Sequence, residues 1–267
     1  MKTYIQHGIR IIYNTENSTR FNMHKTHFHD EYEIYYLVSG SRQLYINDRV
    51  FPLTSGSLAF VDGEDMHRTF SANEEPISRF VICMRKSKLQ KEYPDLTTLF
   101  EQGGAIDLNI SQQKEMGRLL YMLKDECEKN DFMQHEAISA LVLKLFINAF
   151  RLRKEASSVV NDCNSLAVNI IDYINSHYSE KLTLEDISSH CHISISHLTR
   201  LFKASTGYSI VEYTNTLRVK KAAELLKSTD LSISEIALKT GFSSFSYFGK
   251  LFAECYGVSP LKYRKAD

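Results

Sequence analysis

Two stretches, LEDISSHCHISISHLTRLFKASTGYS (184–209) and ISEIALKTGFSSFSYFGKLFAECYGVS (233–259), carry one pattern twice. Ile187 aligns with Ile236 at an offset of 49 residues. Past the turn, Leu201-Phe202 aligns with Leu251-Phe252, and Gly207 with Gly257, at an offset of 50. One additional residue therefore sits in the second turn. Each copy reads as a short helix, a turn and a longer helix ending on glycine, the residue that most readily takes the left-handed conformation closing a helix. One such pattern is often a plain helical hairpin. Two in tandem with matching glycine ends are far more specific.

Helical periodicity gives each longer helix two faces. In the first copy Leu198, Leu201 and Phe202 form the stripe to be buried, which leaves Ser196, His197, Thr199, Arg200 and Lys203 outside. That face is polar, basic and narrow enough for the major groove of DNA, where base edges display distinct donor and acceptor patterns. In the second copy Phe248, Leu251 and Phe252 are the buried stripe, and Phe245, Ser246, Gly249 and Lys250 face outward. A glycine inside a helix costs about 1 kcal/mol relative to alanine. At Gly249, close approach to a phosphate and simple tolerance are both open readings.

Between the copies, SIVEYTNTLRVKKAAELLKST (209–229) reads as one helix with Tyr213, Leu217, Ala222, Leu225 and Leu226 on its apolar face. Such a rod would fix the spacing of the two readers. Arg218, Lys220 and Lys221 on it, and Lys262, Arg264 and Lys265 after the second copy, are candidates for phosphate contacts. Residues 161–267 hold twelve Lys+Arg against eleven Asp+Glu. So small an excess predicts modest non-specific affinity with a strong salt dependence.

The first 85 residues look different. They alternate as short strands, most clearly in QLYINDRVFPL (43–53), with a tight turn at Asn47-Asp48 and further turns at 39–40, 55–57 and 62–65. This spacing suggests a small barrel or sandwich. Residues 111–153 then read as two helices. The first is capped by Ser111 and carries Met116, Leu119, Leu120 and Leu123; the second carries Ile138, Leu141, Val142, Leu145, Phe146 and Ala149. Packing within one chain and a dimer seam are equally compatible with that hairpin. EASSVVNDCNS (155–165) is small and polar, as linkers are. The expected domains are 1–155, a linker at 156–165, and 166–267.

Bulk composition narrows the class. Hydrophobic residues at 43% and charged residues at 24% fit a globular protein, and the net charge of zero predicts no general affinity for nucleic acid or membrane. The cysteines at 83, 127, 163, 191 and 255 form no CxxC pair, which argues against a zinc ribbon and for a reducing, cytoplasmic setting. No secretory signal and no apolar run of membrane-spanning length is expected.

The C-terminal hundred residues resemble the AraC/XylS family of bacterial transcription regulators. The likeness rests on Ile236-Ala237, Gly241-Phe242, Tyr247-Phe248, Phe252, Gly257, Ser259-Pro260 and Tyr263-Arg264. Gly249 and Lys250 depart from it, standing where a polar residue and often Arg are usual. The N-terminal part resembles the cupin-type sensor domain that many members carry, on HFHDEYEIYYLVSG (27–40) and GSLAFVDGEDMH (56–67). The resemblance implies an α+β two-domain chain. Its N-terminal half would be a cupin-like β-barrel with a helical hairpin, for ligand sensing and dimerisation, and its C-terminal half an all-α tandem helix-turn-helix domain. It sets the cupin metal pattern on His27, His29, Glu33 and His67, and it implies equally that regulators of this type commonly bind none.

Three His and one Glu suit Zn, Mn, Fe or Ni. In a straight strand, however, His29 and Glu33 would lie roughly 13 Å apart at about 3.3 Å per residue, so the chain must bend at Asp30-Glu31. The same residues, with Tyr35 and Arg42, and with Tyr45 and Arg68 beside them, could instead line a wet pocket for a sugar-like ligand. The leading expectation is a DNA-binding regulator, not an enzyme, controlled by a small molecule. It would need no cofactor beyond an optional divalent metal. Its partners would be promoter DNA, the effector, a second copy through 111–153 and RNA polymerase, and no membrane. The alternative is a metal-dependent cupin enzyme with a helical appendage.

Overall fold

The computed structural model describes residues 2–18, 28–47, 49–70, 76–101, 103–129, 131–156 and 165–265; His27 and nearly all of the expected linker lie outside them. The chain divides into two compact units, Met1–Asn22 with Asp30–Asn161, and Met23–His29 with Asp162–Asp267.

The first unit runs β1 (Lys2–Gln6), β2 (Ile9–Ser18), β3 (Glu31–Ser39), β4 (Arg42–Ile46), β5 (Arg49–Leu53), β6 (Ser57–Asp62), β7 (His67–Phe70), β8 (Ile77–Arg85), α1 (Lys86–Glu92), a 3-10 helix (Pro94–Phe100), β9 (Gly104–Asp107), α2 (Ile110–Glu128) and α3 (Gln134–Glu155). The strands make a six-stranded sheet, β1-β2-β8-β3-β6-β9, and a three-stranded sheet, β5-β4-β7. Among the described residues no ladder joins the two, so the expected barrel is two facing sheets and not a ring closed by hydrogen bonds. Between them Tyr35, Leu37, Leu44, Ile46, Phe51, Leu53, Val61 and Val81 form one core.

The other face of the large sheet is also covered. Ile34 and Tyr36 of β3 join Phe80, Ile82, Leu120, Leu145 and Phe146 in a second core beneath α2 and α3. β3 is thus apolar on both sides, which is why EIYYLV runs on without the alternation of a half-exposed strand. The β4–β5 turn falls where Asn47-Asp48 placed it, with Ile46 opposite Arg49 and Asn47 at φ +46°. The cap of α2 does not fall where expected. Asn109, not Ser111, accepts the Gln112 N–H at 3.0 Å, and the Gln112 side chain accepts the Asn109 N–H at 2.9 Å. This reciprocal pair satisfies two otherwise orphaned donors, so the helix starts at Ile110. At the far end of α2, Glu128 accepts from Lys2 Nζ and from the Tyr13 hydroxyl, each at 2.8 Å. Those bonds, Lys2 first, hold its carboxyl down at about 2 and tie the sheet edge to the helix.

The second unit is helical: α4 (Ser165–His177), α5 (Leu184–Cys191), α6 (Ile195–Thr206), α7 (Ile210–Ser228), α8 (Ile233–Lys239), α9 (Phe245–Tyr256) and α10 (Pro260–Arg264). Its boundaries repeat as the sequence does. Thr183, Ser194, Ser209, Ser232, Ser244 and Ser259 each cap a helix by accepting the N–H three residues on. Gly207 and Gly257 close α6 and α9 in the left-handed conformation. The turns pair His192 (φ +55°) with Gly241 (φ +87°) at the offset of 49, so the inserted residue lies between Gly241 and the cap Ser244.

Leu198 and Phe202 of α6, and Phe248 and Phe252 of α9, are wholly buried, while Leu201 and Leu251 are only half-buried. α7 buries residues around most of its circumference, from Ile210, Tyr213 and Thr214 to Val219, Ala223 and Leu226. It packs against α6, α8, α9 and α10, and so serves both copies as a common core. A helix covered on most sides shows no clean stripe, and Leu225, placed on the expected apolar face, is half-exposed.

Candidate DNA-reading surface and sensor interior

The outward residues expected of α6 are outward. Ser196, His197, Thr199, Arg200 and Lys203 are all exposed, around the N-terminal end and middle of a helix whose opposite stripe is Leu198 and Phe202. On α9, Phe245, Ser246 and Lys250 are exposed and Gly249 is half-buried. Tyr247 is exposed there as well, and Asn215 of α7 donates to its hydroxyl at 3.2 Å. Tyr247 was read only as part of the family likeness. A tyrosine between two phenylalanines at 245 and 248 looks like core until the faces are assigned.

The basic residues divide into two groups. Lys262 and Lys265 are exposed, and Lys221 is half-exposed in an ion pair with Glu224 at 2.9 Å. Arg218 and Arg264, in contrast, are engaged with backbone. Arg218 Nε donates to the Tyr178 carbonyl at 2.6 Å and Nη2 to the Glu180 carbonyl at 2.8 Å, while its guanidinium lies 5.9 Å from the Phe242 ring centroid. Burial lowers its pKa from the usual value. Arg264 Nη2 donates to the Leu231 carbonyl at 2.6 Å. Nothing in a run such as LRVKK tells an arginine that clasps carbonyls from one that waits for phosphate.

In the first unit, cross-strand register assigns the faces. Glu33, Tyr35 and Leu37 of β3 lie opposite Cys83, Val81 and Arg79 of β8, and all six point between the sheets. From the small sheet, Leu44 and Ile46 lie opposite Thr69 and His67, which share that face with Arg42. Tyr45 and Arg68 pair with each other on the opposite face, so these two pocket candidates do not line the interior. Arg79, which sequence reading absorbed into a strand, does. Its guanidinium sits 5.6 Å from the Tyr35 ring centroid. Burial raises the Tyr35 phenol, and Arg79 and then Arg42 oppose that rise. The Cys83 thiol, 3.8 Å from Glu33, is pushed well up by burial first and by Glu33 second.

At one end of this wall stand Glu33 and His67, both buried. The chain bends at Asp30, just before β3. His67 Nδ1 lies 2.8 Å from the Asp65 carbonyl. A carbonyl can only accept, so Nδ1 donates; in the neutral ring this leaves the lone pair on Nε2, the atom that then binds a metal or accepts from a hydroxyl. A histidine and a glutamate are both donors that a divalent transition ion accepts. They are equally a hydrogen-bonding wall.

Family models match both units. The AraC-like ligand binding domain covers residues 9–146, and a helix-turn-helix domain covers residues 187–266. The chain belongs to the AraC family of transcription regulators. This AraC-family chain is 32% identical over 248 residues to the HTH-type transcriptional regulator YfiF of Bacillus subtilis, across 89% of its own length and 78% of that relative. It is 24% identical over 238 residues to the HTH-type transcriptional activator RhaR of Mannheimia succiniciproducens, across 89% and 86%. The crystal structure of a ToxT protein from Vibrio cholerae aligns over 97% of this chain and 98% of its own at 17% identity, with a TM-score of 0.42. The relatives are named as regulators, so the chain is a DNA-binding transcription regulator with a ligand-binding domain, and the enzyme alternative is set aside. No helix among the described residues is long and apolar enough to cross a membrane.

Proposed function

We propose that α6 and α9 read successive major-groove faces of one operator, through Ser196, His197, Thr199, Arg200 and Lys203 in the first half-element and Phe245, Ser246, Tyr247 and Lys250 in the second. The observation that carries this reading is the pair of exposed faces on two helices that share one buried partner, α7. Lys220, Lys221, Lys262 and Lys265 supply phosphate contacts. Arg218 and Arg264, bound to carbonyls, act within the fold instead.

The effector is a small polar molecule, sugar-like in its hydroxyls, held between the sheets by Glu33, Tyr35, Arg42, His67 and Arg79. The mixed donors and acceptors of that wall support the reading, as does the buried position of Glu33, Tyr35, Arg42, His67 and Arg79. A divalent ion on Glu33 and His67 is the second reading, favoured by the burial of both donors. The functional domains are 1–155 and 166–267, joined at 156–165. The 111–153 hairpin forms a homodimer seam, supported by a groove between α2 and α3 where Glu115 and Glu155 stand with Lys144 and Arg151, charges that a twofold partner would complement. The named activators among the relatives favour activation through RNA polymerase in the cytoplasm. Gel-shift titration of promoter fragments from flanking genes, at low salt and with candidate sugars, tests the whole. Full-length protein that retards no fragment under any of these conditions refutes it.

A further inference from the structure

Arg218 stands where three parts of the second unit meet. It belongs to α7, which joins the two reading copies. Its Nε and Nη2 hold the carbonyls of Tyr178 and Glu180, in the turn that leads into the first copy. Its guanidinium faces Phe242, in the turn of the second copy. The neighbouring Gly241 is at φ +87°, and a Cβ built there would fall 2.8 Å from the Tyr178 carbonyl, 2.9 Å from the Ser179 carbonyl and 3.0 Å from Arg218 Nε. The turn of the second copy therefore lies directly on the turn that precedes the first. Phe242 carries the contact onward, because its ring centroid is 5.1 Å from that of Phe248, the buried anchor of α9.

From these contacts we infer that Arg218 is a positioning residue for DNA reading: it sets the angle between α6 and α9, and so the half-element spacing the protein accepts. The inference rests on the tandem-reader function proposed above. The planar fork suits the task. A guanidinium donates to two separate carbonyls and faces a ring in one fixed planar fork, whereas a lysine ammonium is a compact point charge on a flexible stem and fixes no such geometry. Removing the fork leaves α7 in place but uncouples the two turns. One base pair added between half-elements rotates the second groove by about 34° around the duplex, so only a fixed inter-helix angle rejects it.

Two readouts on the full chain test this, with Arg218→Lys and Phe242→Leu as parallel variants checked for native helicity. The first needs no DNA. Spin labels introduced at Ser196 and Ser246 through an encoded side chain report the distance distribution between the reading helices, which is narrow in the parent and broad in both variants. The second is binding to operators whose half-elements are moved one base pair closer or further apart. The parent discriminates on the order of tenfold, the variants about twofold, and the salt dependence stays unchanged because no phosphate contact is lost. Parental distance distributions in folded variants overturn the inference. So does an Arg218→Lys protein with parental spacing preference and a shallower salt slope, which would make Arg218 an ordinary phosphate contact. If Arg218→Lys fails the helicity check, Phe242→Leu decides by the same criteria. A parent that binds no tandem operator yet shows a narrow distribution that both variants broaden refutes the reader function and leaves the brace standing.

Discussion

Three glycines of the second unit differ enough in their surroundings to rank the cost of adding one methyl group. At Gly249, inside α9, an added Cβ meets nothing within 4 Å and the backbone is not left-handed. Alanine there should stabilise the fold by about 0.4–1 kcal/mol. Gly257 is at φ +72°, again with nothing within 4 Å, so alanine bears only the left-handed penalty of roughly 1–2 kcal/mol. Gly241 bears that penalty and more. Two of its neighbours are backbone carbonyls at 2.8 and 2.9 Å, which cannot rotate aside as a side-chain end would. Overpacking of this kind adds about 1–3 kcal/mol, giving roughly 2–5 in all. Thermal unfolding followed by helical circular dichroism reads the order directly, since 1 kcal/mol moves Tm by about 4–8 °C in a unit of this size. Gly249→Ala should melt above the parent, Gly257→Ala below it, and Gly241→Ala lowest. If Gly241→Ala melts with or above Gly257→Ala, the close packing of the two turns is wrong, and the positioning role of Arg218 falls with it.

Arg200→Ala should relax sequence preference at one operator position and weaken the best site by about 1–3 kcal/mol, as read by competition binding over a randomised operator; an unchanged preferred sequence removes Arg200 from the base readers. Lys221→Ala should weaken all DNA alike and flatten log K against log salt by about 0.9, unless its ion pair with Glu224 already occupies it. Glu128 is held at about 2 against an ordinary 4.5, so its bonds to Lys2 and Tyr13 favour the folded state above about pH 4.5, and that contribution fades as pH falls towards 2. Glu128→Gln should therefore narrow the difference in Tm between pH 5 and pH 2.5; an equal acid sensitivity in both proteins shows the bonds to be immaterial. His67→Ala should abolish the effector response and spare DNA affinity without effector, and elemental analysis of the parent after metal-supplemented preparation separates an ion-bearing site from a hydrogen-bonding wall.

The reading helices were legible because burial leaves a periodic trace. Leu198, Phe202, Phe248 and Phe252 had to face inward, and the outer residues followed by elimination. The strands of the first unit were legible through turn residues such as Asn47. What escaped depended on partners distant in sequence. Arg79 looks like any strand residue until the register with Leu37 turns it inward, and Tyr45 looks like a pocket residue until its pairing with Arg68 turns it away. The two carbonyls that Arg218 holds were hidden for the same reason, since they lie 38 and 40 residues upstream. The left-handed His192 was equally hidden. Histidine tolerates that conformation better than most residues, but only its alignment with Gly241 marks the position.

β3 has no slack side. Tyr35 lies between the sheets, and its chain neighbours Ile34 and Tyr36 lie in the layer beneath α2 and α3. A plank wedged between two full shelves cannot tilt toward one without pressing the other. If the proposed effector shifts this strand by a few tenths of an ångström, it must jostle the helical hairpin, and news of its arrival would leave the domain through the back of the wall that receives it.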